Sequence, residues 1–521
     1  MRSPRLPLAV AAAGVVSGWC AARYAAFSPL LWLMLLVAVL AMPPRERRLV
    51  DPGFFFAGLA LVTLSWLVAA DHEGALRLSL LLLSAVLLFS LSRLAVPDDR
   101  LLGLVAVGLA LTAVVGFDQA LGGLERVRGF VDTLPAQWRE AATIRLGRGR
   151  IFGTSTLPGH YAALLLLAAP LLAERAWRTS GWPRAGYGVA LAAITVAVAL
   201  TRSVAAVIVA GVLLLVLLLG KLRGPGAAVA LVALVAVAGF AVVTRADLVS
   251  LEPIRLRWVN WRTTAWVLGH HPWLGVGLGG VGQAGLLAPT AADNITPFTH
   301  NTYLQLLAEF GLAGAGVLVA GVWALARLLR AGWAAWPGLA LSVAVLPLHN
   351  LLDFSAYAPE VLLPWAVLAG ALAGRVSAEP RRRLPDWVLV PVLGGATILA
   401  ALAWRGEVEL APAFSSPPEK AVTSALSAAR WAPWTVTPLE LAAGVALERG
   451  SAPEVLSGLD AELASRAWVR PFSASWAEAR SRLLLGQGRP GEALVWAREA
   501  RRRAPWRPDL AELEGTCSLG R

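Results

Sequence analysis

Residues 257–314 read RWVNWRTTAWVLGHHPWLGVGLGGVGQAGLLAPTAADNITPFTHNTYLQLLAEFGLAG, and apolar stretches flank them on both sides. They contain an arginine-bearing amphipathic segment, a glycine-rich turn, a polar loop that ends in His300-Asn301, and the start of an apolar helix with Gln305 and Glu309. Ionisable residues at or inside a membrane are costly and usually serve a function. We therefore expect this stretch to hold the functional site.

The composition is that of a membrane protein. Of 521 residues, 57% are hydrophobic, and the mean hydropathy of +0.64 is far above that of a soluble domain. Thirteen apolar stretches are candidates for crossing a hydrocarbon core, at about residues 6–26, 28–42, 53–70, 75–96, 100–120, 157–174, 186–200, 203–219, 226–244, 302–330, 336–354, 359–375 and 386–404. The sequence therefore predicts an all-α, polytopic membrane protein with about 12–13 transmembrane helices, the first retained rather than cleaved as a signal.

The net charge of +13 is explained by topology. Short basic clusters lie between the apolar stretches, and a single orientation with a cytoplasmic N-terminus places them all inside, as the positive-inside rule requires. We therefore expect a multi-pass protein of the cytoplasmic (inner) membrane and no nucleic-acid partner. Two cysteines, Cys20 and Cys517, form neither a disulfide framework nor a metal cluster, and no metal or cofactor is expected.

Two predicted extracytoplasmic loops, 121–156 and 245–301, carry arginines on the side of the membrane where arginine is normally scarce. Guanidinium groups stay charged and match phosphate oxygens, so these arginines indicate an anionic ligand at the outer face. The alternative is that they reach membrane lipid headgroups. Arg202 lies in Thr201-Arg202-Ser203, between two apolar spans. A charged residue there is costly unless it is paired or faces water, so it indicates a functional arginine.

The central stretch resembles the O-antigen ligase and O-antigen polymerase superfamily. Three of its patterns occur here in order: an Arg-x3-Trp segment, a Pro-x-x-Gly-x-Gly turn and a helix start beginning His-Asn-x-Tyr-Leu. The matching positions are Arg262 with Trp266; Pro272, Gly275, Gly277 and Gly279; and His300, Asn301, Tyr303, Leu304, Glu309 and Gly311. The Thr-Arg-Ser turn at 201–203 and the segment IFGTSTLPGHYAALLLLAAPLL at 151–172 also resemble family segments, although the second lacks the family's asparagines.

The resemblance implies a membrane glycosyltransferase of the GT-C-like type that acts without a metal. Its donor would be a glycan on a polyprenyl diphosphate, and its acceptor a hydroxyl of a lipid A core or another glycan. Arg202 and Arg262 would stabilise the departing diphosphate, and His300 would take or position the acceptor proton. We predict substrate-binding roles for Asn301, Gln305, Glu309, Arg150, His160 and Asp353.

A polar stripe enters the membrane after His300. Asn301, Gln305 and Glu309 are spaced i, i+4 and i+8 on one helix face. An intramembrane carboxylate normally has a partner, and Arg202 and Arg262 are candidates. The alternative is that Glu309 only fixes helix packing.

Beyond residue 404 the composition becomes that of a soluble helical segment. We predict a transmembrane domain at 1–404 and an extracytoplasmic, periplasmic helical repeat domain at 405–521. Residues 481–510 resemble a tetratricopeptide helix pair, with Gly488 in the turn and Ala493 on the packing face. Such a domain could dock an envelope protein partner, or it could simply cap the membrane domain.

Three functions remain open from the sequence. The first is a ligase that moves a polyprenyl-linked glycan to an acceptor, and the second is a polysaccharide polymerase with the same chemistry. The third is a transporter or assembly scaffold that binds the lipid-linked glycan without reacting. A proton acceptor beside a diphosphate clamp favours an enzyme, and the C-terminal domain slightly favours a ligase, by analogy alone.

Overall fold

A computed structural model describes residues 5–19, 24–42, 52–131, 136–221, 252–294, 296–376, 385–414, 418–448 and 450–520. Within these ranges every regular element is a helix. The predicted span 226–244 lies outside the described residues. All the other predicted spans coincide with helices, because long apolar runs can satisfy their backbone polar groups in a membrane only as helices or closed barrels.

The helices of the membrane part are numbered in chain order. They are α1 Arg5–Trp19, α2 Tyr24–Leu40, α3 Pro52–Leu67, α4 His72–Ala95, α5 Asp99–Ala110, α6 Ala113–Asp118, α7 Leu124–Val131, α8 Ala136–Gly147, α9 Pro158–Arg178, α10 Gly181–Thr201, α11 Val204–Lys221, α12 Glu252–His270, α13 Val281–Gly285, α14 Thr302–Trp333, α15 Pro337–His349, α16 Pro359–Val376 and α17 Asp386–Leu410.

Six helical segments within the described ranges are long and apolar enough to span a membrane, and shorter apolar helices accompany them. The six are His72–Ala95, Asp99–Gly129, Gly181–Thr201, Thr302–Trp333, Pro359–Val376 and Asp386–Leu410. The prediction of an all-α, polytopic membrane protein is confirmed.

The core of the membrane part forms around α16, which packs closely on α4. Ser92 Oγ of α4 donates a hydrogen bond of 2.7 Å to the carbonyl of Val367. Gly370 faces the Phe89 backbone, where a side chain would collide with the carbonyl oxygen. Small residues at such contacts let helix backbones approach. This packing fixes the start of α16, and with it the turn of residues 350–358 that leads into the helix.

The predicted outer loop 121–156 contains more helix than expected, since α7 and α8 occupy much of it. Leu124, Val131 and Leu146 are buried together there, while Arg126 and Arg128 are exposed. The arginines mark the outer face of a small amphipathic helix pair. The sequence prediction considered only the charge of these arginines and so did not include α7 and α8.

The C-terminal part is a run of helices in which each packs on the next. They are α18 Pro418–Trp431, α19 Thr437–Glu448, α20 Pro453–Ser465, α21 Ala474–Gly486, α22 Pro490–Arg503 and α23 Pro508–Leu519. Gly488, with φ of 72°, turns the chain between α21 and α22, and Ala493 is fully buried. The tetratricopeptide-like assignment and the domain boundary stay predictions.

A cluster of buried charges joins the C-terminal part to the membrane part. Arg470 contacts Asp71 at 3.3 Å and Glu73 at 3.0 Å, both at the start of α4, and Glu440 at 3.2 Å. Burial alone would lower the pKa of Arg470, but the three carboxylates outweigh it and raise that pKa. Glu73, 1% exposed, also accepts a 3.1 Å hydrogen bond from the Val436 amide. We call these contacts the Arg470 clamp.

We predict that Arg470→Met destabilises the protein by about 3–5 kcal/mol, because removing one partner strands a buried charge. The measurement is the midpoint of thermal unfolding of the purified protein in detergent. Arg502→Met is the matched control, since Arg502 pairs with Glu499 on the surface with its side chain 73% exposed, and such pairs contribute little. Equal midpoints for the two variants would contradict a stabilising clamp.

Candidate functional site

The candidate site lies where the start of α14 meets the turn between α15 and α16. The Thr302 amide donates to the carbonyls of Asn350 and Asp353, at 3.0 and 3.2 Å. Asn301 caps α14, and its Oδ1 accepts two amide hydrogen bonds from the first turn at 3.1 Å. Its Nδ2 donates to the Leu351 carbonyl at 3.0 Å. The cap and the turn are therefore held as one unit.

His300 and Asp353 face each other at the centre of this unit. His300 Nδ1 is 3.4 Å from Asp353 Oδ1. The carboxylate is buried, whereas the histidine side chain is 30% exposed and can be reached from outside. The edge of the His300 ring meets Phe354 with the ring centroids 4.8 Å apart. Since Nδ1 faces the carboxylate, Nε2 is the nitrogen left for a substrate proton.

Two of the predicted catalytic residues have strained backbones. Among the described residues, only Val96, Arg202 and His300 are non-glycine residues with positive φ, at 45°, 50° and 55°. Such a conformation costs about 1–3 kcal/mol and persists where surrounding contacts impose it, often at functional sites. Val96 and Arg202 end helices, where a left-handed residue is common, so the strain supports a functional role for His300 only.

Two arginines are fixed near this centre by hydrogen bonds to backbone carbonyls. Arg150 Nε donates to the Thr201 carbonyl at 2.8 Å, which places it beside Arg202. Arg257 Nε of α12 donates to the Leu352 carbonyl at 2.9 Å, one residue before the site carboxylate. Each of these bonds is made by Nε–H and fixes the direction in which the guanidinium group points.

The charges of three other arginines act on Arg150. Burial lowers the pKa of Arg150, and the charges of Arg148 and Arg257 lower it further; Asp353 acts in the opposite direction, while Arg202 again lowers it. Among the charges that act most on Arg150, three arginines oppose a single carboxylate, Asp353. We call this set of four arginines the arginine cluster; its excess positive charge suits an anion.

Arg262 lies apart from the arginine cluster. It is on the exposed face of α12, opposite the face that buries Thr264, and no hydrogen bond or ion pair to it is found among the described residues. The Arg-x3-Trp spacing occurs twice on this helix, at Arg257 with Trp261 and at Arg262 with Trp266. The structure brings the first of these arginines to Asp353.

His160 occupies a second layer behind the site. It is buried, with Nδ1 3.7 Å from Glu360 Oε1 and its ring edge against Phe354 at a centroid distance of 4.7 Å. Gly159 lies so close to Asp353 that an added Cβ would stand 2.5 Å from Oδ2. His160 therefore lies near the carboxylate but has no open path to solvent, which favours a positioning role over substrate contact.

Residues 187–319 match the O-antigen ligase family model. The match supports the superfamily inferred from the sequence motifs, and it includes Arg202, α12, the glycine-rich turn, His300 and Glu309. Asp353 and the C-terminal helices lie beyond the matched region. No curated protein matches the chain.

Within the region that matches the O-antigen ligase model, Glu309 has partners other than those predicted. Gln305 Nε2 donates to Oε1 at 3.0 Å, and the Tyr357 hydroxyl donates to Oε2 at 2.6 Å. Neither candidate partner, Arg202 or Arg262, pairs with Glu309, because both arginines are exposed while Glu309 is fully buried. Neutral donors satisfy the carboxyl group instead, and they join α14 to the turn before α16.

The glycine-rich turn is built into a break in α14. At Gly311 the backbone leaves the helix, with φ of 60° and ψ of −156°, a combination accessible essentially only to glycine. The break frees backbone groups that the turn then satisfies. The Gly277 amide donates to the Glu309 carbonyl at 3.0 Å, and the Leu312 amide donates to the Pro272 carbonyl at 2.8 Å. The predicted tight turn is thus hydrogen-bonded to the break in α14.

The other side of the turn rests on the connection between α3 and α4. The Leu278 amide donates to Ser65 Oγ at 2.7 Å, and the Ala70 amide donates to the Val276 carbonyl at 3.1 Å. An added Cβ on Gly277 would stand 2.6 Å from the Ser65 carbonyl oxygen, so only glycine allows this approach. The turn therefore links the site helix α14 to the segment held by the Arg470 clamp.

Sequence reasoning did not assign roles to several residues that the structure places here. Arg257 was only one of several loop arginines, and Glu360 and Tyr357 were not singled out. His349 bonds Ser355 Oγ through Nδ1 at 2.9 Å and supports the same turn. Glu360 could have been identified from the sequence, because it is a carboxylate directly after Pro359 at the start of an apolar helix. No group of three potential metal-ligating side chains occurs within the part of the chain that the structure describes.

We predict that Gly311→Ala impairs folding or activity. Alanine strongly disfavours the backbone conformation of this residue, and its Cβ would stand 2.5 Å from the Trp273 backbone. Gly316→Ala is the matched control on the same helix, where nothing lies within 4 Å and alanine favours the helix. Thermal unfolding and yield in detergent measure both variants. A Gly311→Ala protein as stable as the Gly316→Ala control would show that the break is not required.

Proposed function

We propose that this protein is an O-antigen ligase-like glycosyltransferase. It moves a glycan from a polyprenyl-diphosphate carrier to an acceptor hydroxyl, of a lipid A core or another glycan, at the outer face of the cytoplasmic membrane. The observation that carries the proposal is the position of Arg257, a member of the arginine cluster, beside the His300–Asp353 pair: its Nε bonds the Leu352 carbonyl, one residue before Asp353. Leaving-group stabilisation and proton removal are the two needs of this reaction, and the two groups supply one each.

The arginine cluster would bind the donor diphosphate. As the anomeric carbon–oxygen bond breaks, its electron pair moves to the diphosphate and increases the negative charge there. Arg150 and Arg257 are already oriented by their carbonyl partners, so little reorganisation is needed at that moment. Guanidinium groups would thus supply the positive charge, and the proposed reaction needs no divalent metal.

His300 would act on the acceptor. The acceptor oxygen forms a bond to the anomeric carbon and loses its proton to His300 Nε2, so atoms and charge balance without another reactant. Asp353 would orient the ring through Nδ1 and stabilise the imidazolium that forms. Asn301 holds His300 in place through the helix cap, and Gln305 and Glu309 would act as positioning residues because both are fully buried.

Arg202 and Arg262 keep proposed roles of different kinds. Arg202 is exposed at the end of α10 beside Arg150, so its guanidinium would complete the diphosphate site. Arg262, on the exposed face of α12, would attract the donor headgroup or a membrane lipid phosphate as it approaches. The same site would serve a polymerase, in which the acceptor is a growing glycan. The productive acceptor separates the two.

The test uses full-length protein in lipid nanodiscs with a polyprenyl-diphosphate glycan, a panel of acceptors and a chelator. We expect wild-type transfer to survive chelation, and His300→Ala to lower its rate about 10²–10⁴-fold, as loss of a general base does. Arg126→Ala is the control, since Arg126 pairs with Asp118 on the surface of the same outer region. Tight donor binding without transfer to any acceptor would favour a transporter or scaffold instead.

A separate prediction ranks two arginines on one helix. Arg257→Ala should lower the transfer rate about 10²-fold or more, because Arg257 is held at the site centre. Arg262→Ala should mainly weaken donor capture, and increasingly so at low salt, because an exposed charge acts at longer range and is screened by ions. Rate and donor KM for both variants at two ionic strengths make the comparison. A larger rate loss for Arg262→Ala would place the donor on the other face of α12.

A further inference from the structure

Three exposed aromatic side chains lie where the C-terminal part meets the membrane part. Trp431 is at the end of α18, and Trp468 and Phe472 are in the connection between α20 and α21. We call these three side chains the aromatic rim. Large apolar side chains that are exposed on one surface usually mark a region that contacts a protein or a membrane.

The end of α17 shows at which depth Trp431 lies. The segment 387–404 of this helix has no charged side chain, and it begins and ends with tryptophan. At 1.5 Å per residue the segment is about 27 Å long, close to the hydrocarbon thickness of about 30 Å, and tryptophan favours both membrane interfaces. Arg405, the next residue, therefore lies at the membrane surface. Its guanidinium carbon is 5.6 Å from the centroid of the Trp431 ring, so Trp431 lies at a similar depth.

The end of α3 places Trp468 at the membrane surface from a second helix. The apolar run that includes α3 continues to Asp71, and Trp66 stands near its end. The edge of the His72 ring meets the Trp66 ring with the centroids 4.7 Å apart, and the centroid of the Trp468 ring is 6.3 Å from that of His72. Trp468 is therefore separated by one ring from a tryptophan at the end of an apolar helix.

The backbone between Trp468 and Phe472 is fixed by the membrane part. The His72 amide donates to the Val469 carbonyl at 2.9 Å, and the Val469 side chain is fully buried. Arg470 belongs to the Arg470 clamp. Two side chains of this connection thus face the protein, while the aromatic rings on either side of them stay exposed. Such a rigid arrangement lowers the entropic cost of contact with a partner.

The two segments of the aromatic rim are joined to each other. Arg466, at the start of the connection, donates from Nη2 to the carbonyl of Ala429 in the last turn of α18, at 3.1 Å. The rim therefore belongs to one side of the C-terminal part, the side next to α3 and α17. Exposed apolar surface continues from there onto α3, where Leu64 and Leu67 are exposed.

We propose that the C-terminal part lies on the membrane surface and inserts the aromatic rim among the lipid headgroups. An indole ring combines an apolar body with one N–H donor, which suits the boundary between hydrocarbon and headgroups, and Phe472 adds apolar area. The partner is the lipid of the membrane that holds α17, because the apolar surface of the membrane part continues into the rim. This inference does not depend on the proposed glycosyl transfer.

The test measures the depth of single fluorescent labels on full-length protein in lipid nanodiscs. Phe472→Cys and Trp431→Cys each carry the small fluorophore NBD. Val495→Cys is the matched control, because Val495 is 62% exposed, against 61% for Phe472, and lies on α22, which packs on α21 and α23. Wild-type protein labelled in parallel corrects for Cys20 and Cys517.

We expect nitroxide-bearing lipids to quench the labels at 431 and 472, and aqueous iodide to quench the label at 495. An interfacial side chain lies about 5–10 Å into the boundary between headgroups and acyl chains, so a nitroxide near the headgroup should quench more than one at the acyl end.

The inference would be overturned if iodide quenched the labels at 431 and 472 as strongly as the label at 495 while nitroxide lipids left them bright. This face would then be open to a protein partner. Equal quenching by lipid at 472 and 495 would also overturn it, because the difference in depth that the rim requires would be absent. No glycan is used, so either result leaves the proposed transferase function to its own test.

Discussion

The arrangement of the site depends on one buried charge. Asp353 is 4% exposed at the edge of a membrane domain, where an unpaired carboxylate is strongly disfavoured. His300 compensates it from the front, His160 lies behind it, and Arg150 and Arg257 add positive charge nearby. The two arginines alone carry more positive charge than the single carboxylate of Asp353 needs. This surplus charge would suit an anion, so a single constraint accounts for both the proposed proton acceptor and the proposed diphosphate site.

The fold was predictable from sequence to the extent that apolar length determines it. Every predicted span that the structure describes is helical, since a membrane leaves the backbone few alternatives. The break in α14 was not predictable, because Gly311 looks like any glycine in an apolar helix until the turn that fills the break is seen. Helices α7 and α8 were missed since arginines dominated their short sequences.

The sequence predicted the residues of the candidate site better than it predicted their contacts. The motif located His300, which the structure places against Asp353. The Arg-x3-Trp spacing fitted both Arg257 and Arg262. The two differ in the helix face that they occupy, and burial of one face of α12 leaves Arg262 pointing outward. Glu309 was recognised as a buried carboxylate, but its neutral partner Tyr357 comes from a different helix connection. Contacts between distant segments have no signature in a single sequence.

The Arg470 clamp also has a consequence for the order of biosynthesis. Asp71 and Glu73 are made early, but the arginine and the Val436 amide that satisfy them lie at least 363 residues further along the chain than Glu73. The α3–α4 connection, and the glycine-rich turn resting on it, therefore gain this support only after the segment that contains Val436 and Arg470 has been made. Helices α3 to α17 are thus synthesised before the contacts that complete this support can form.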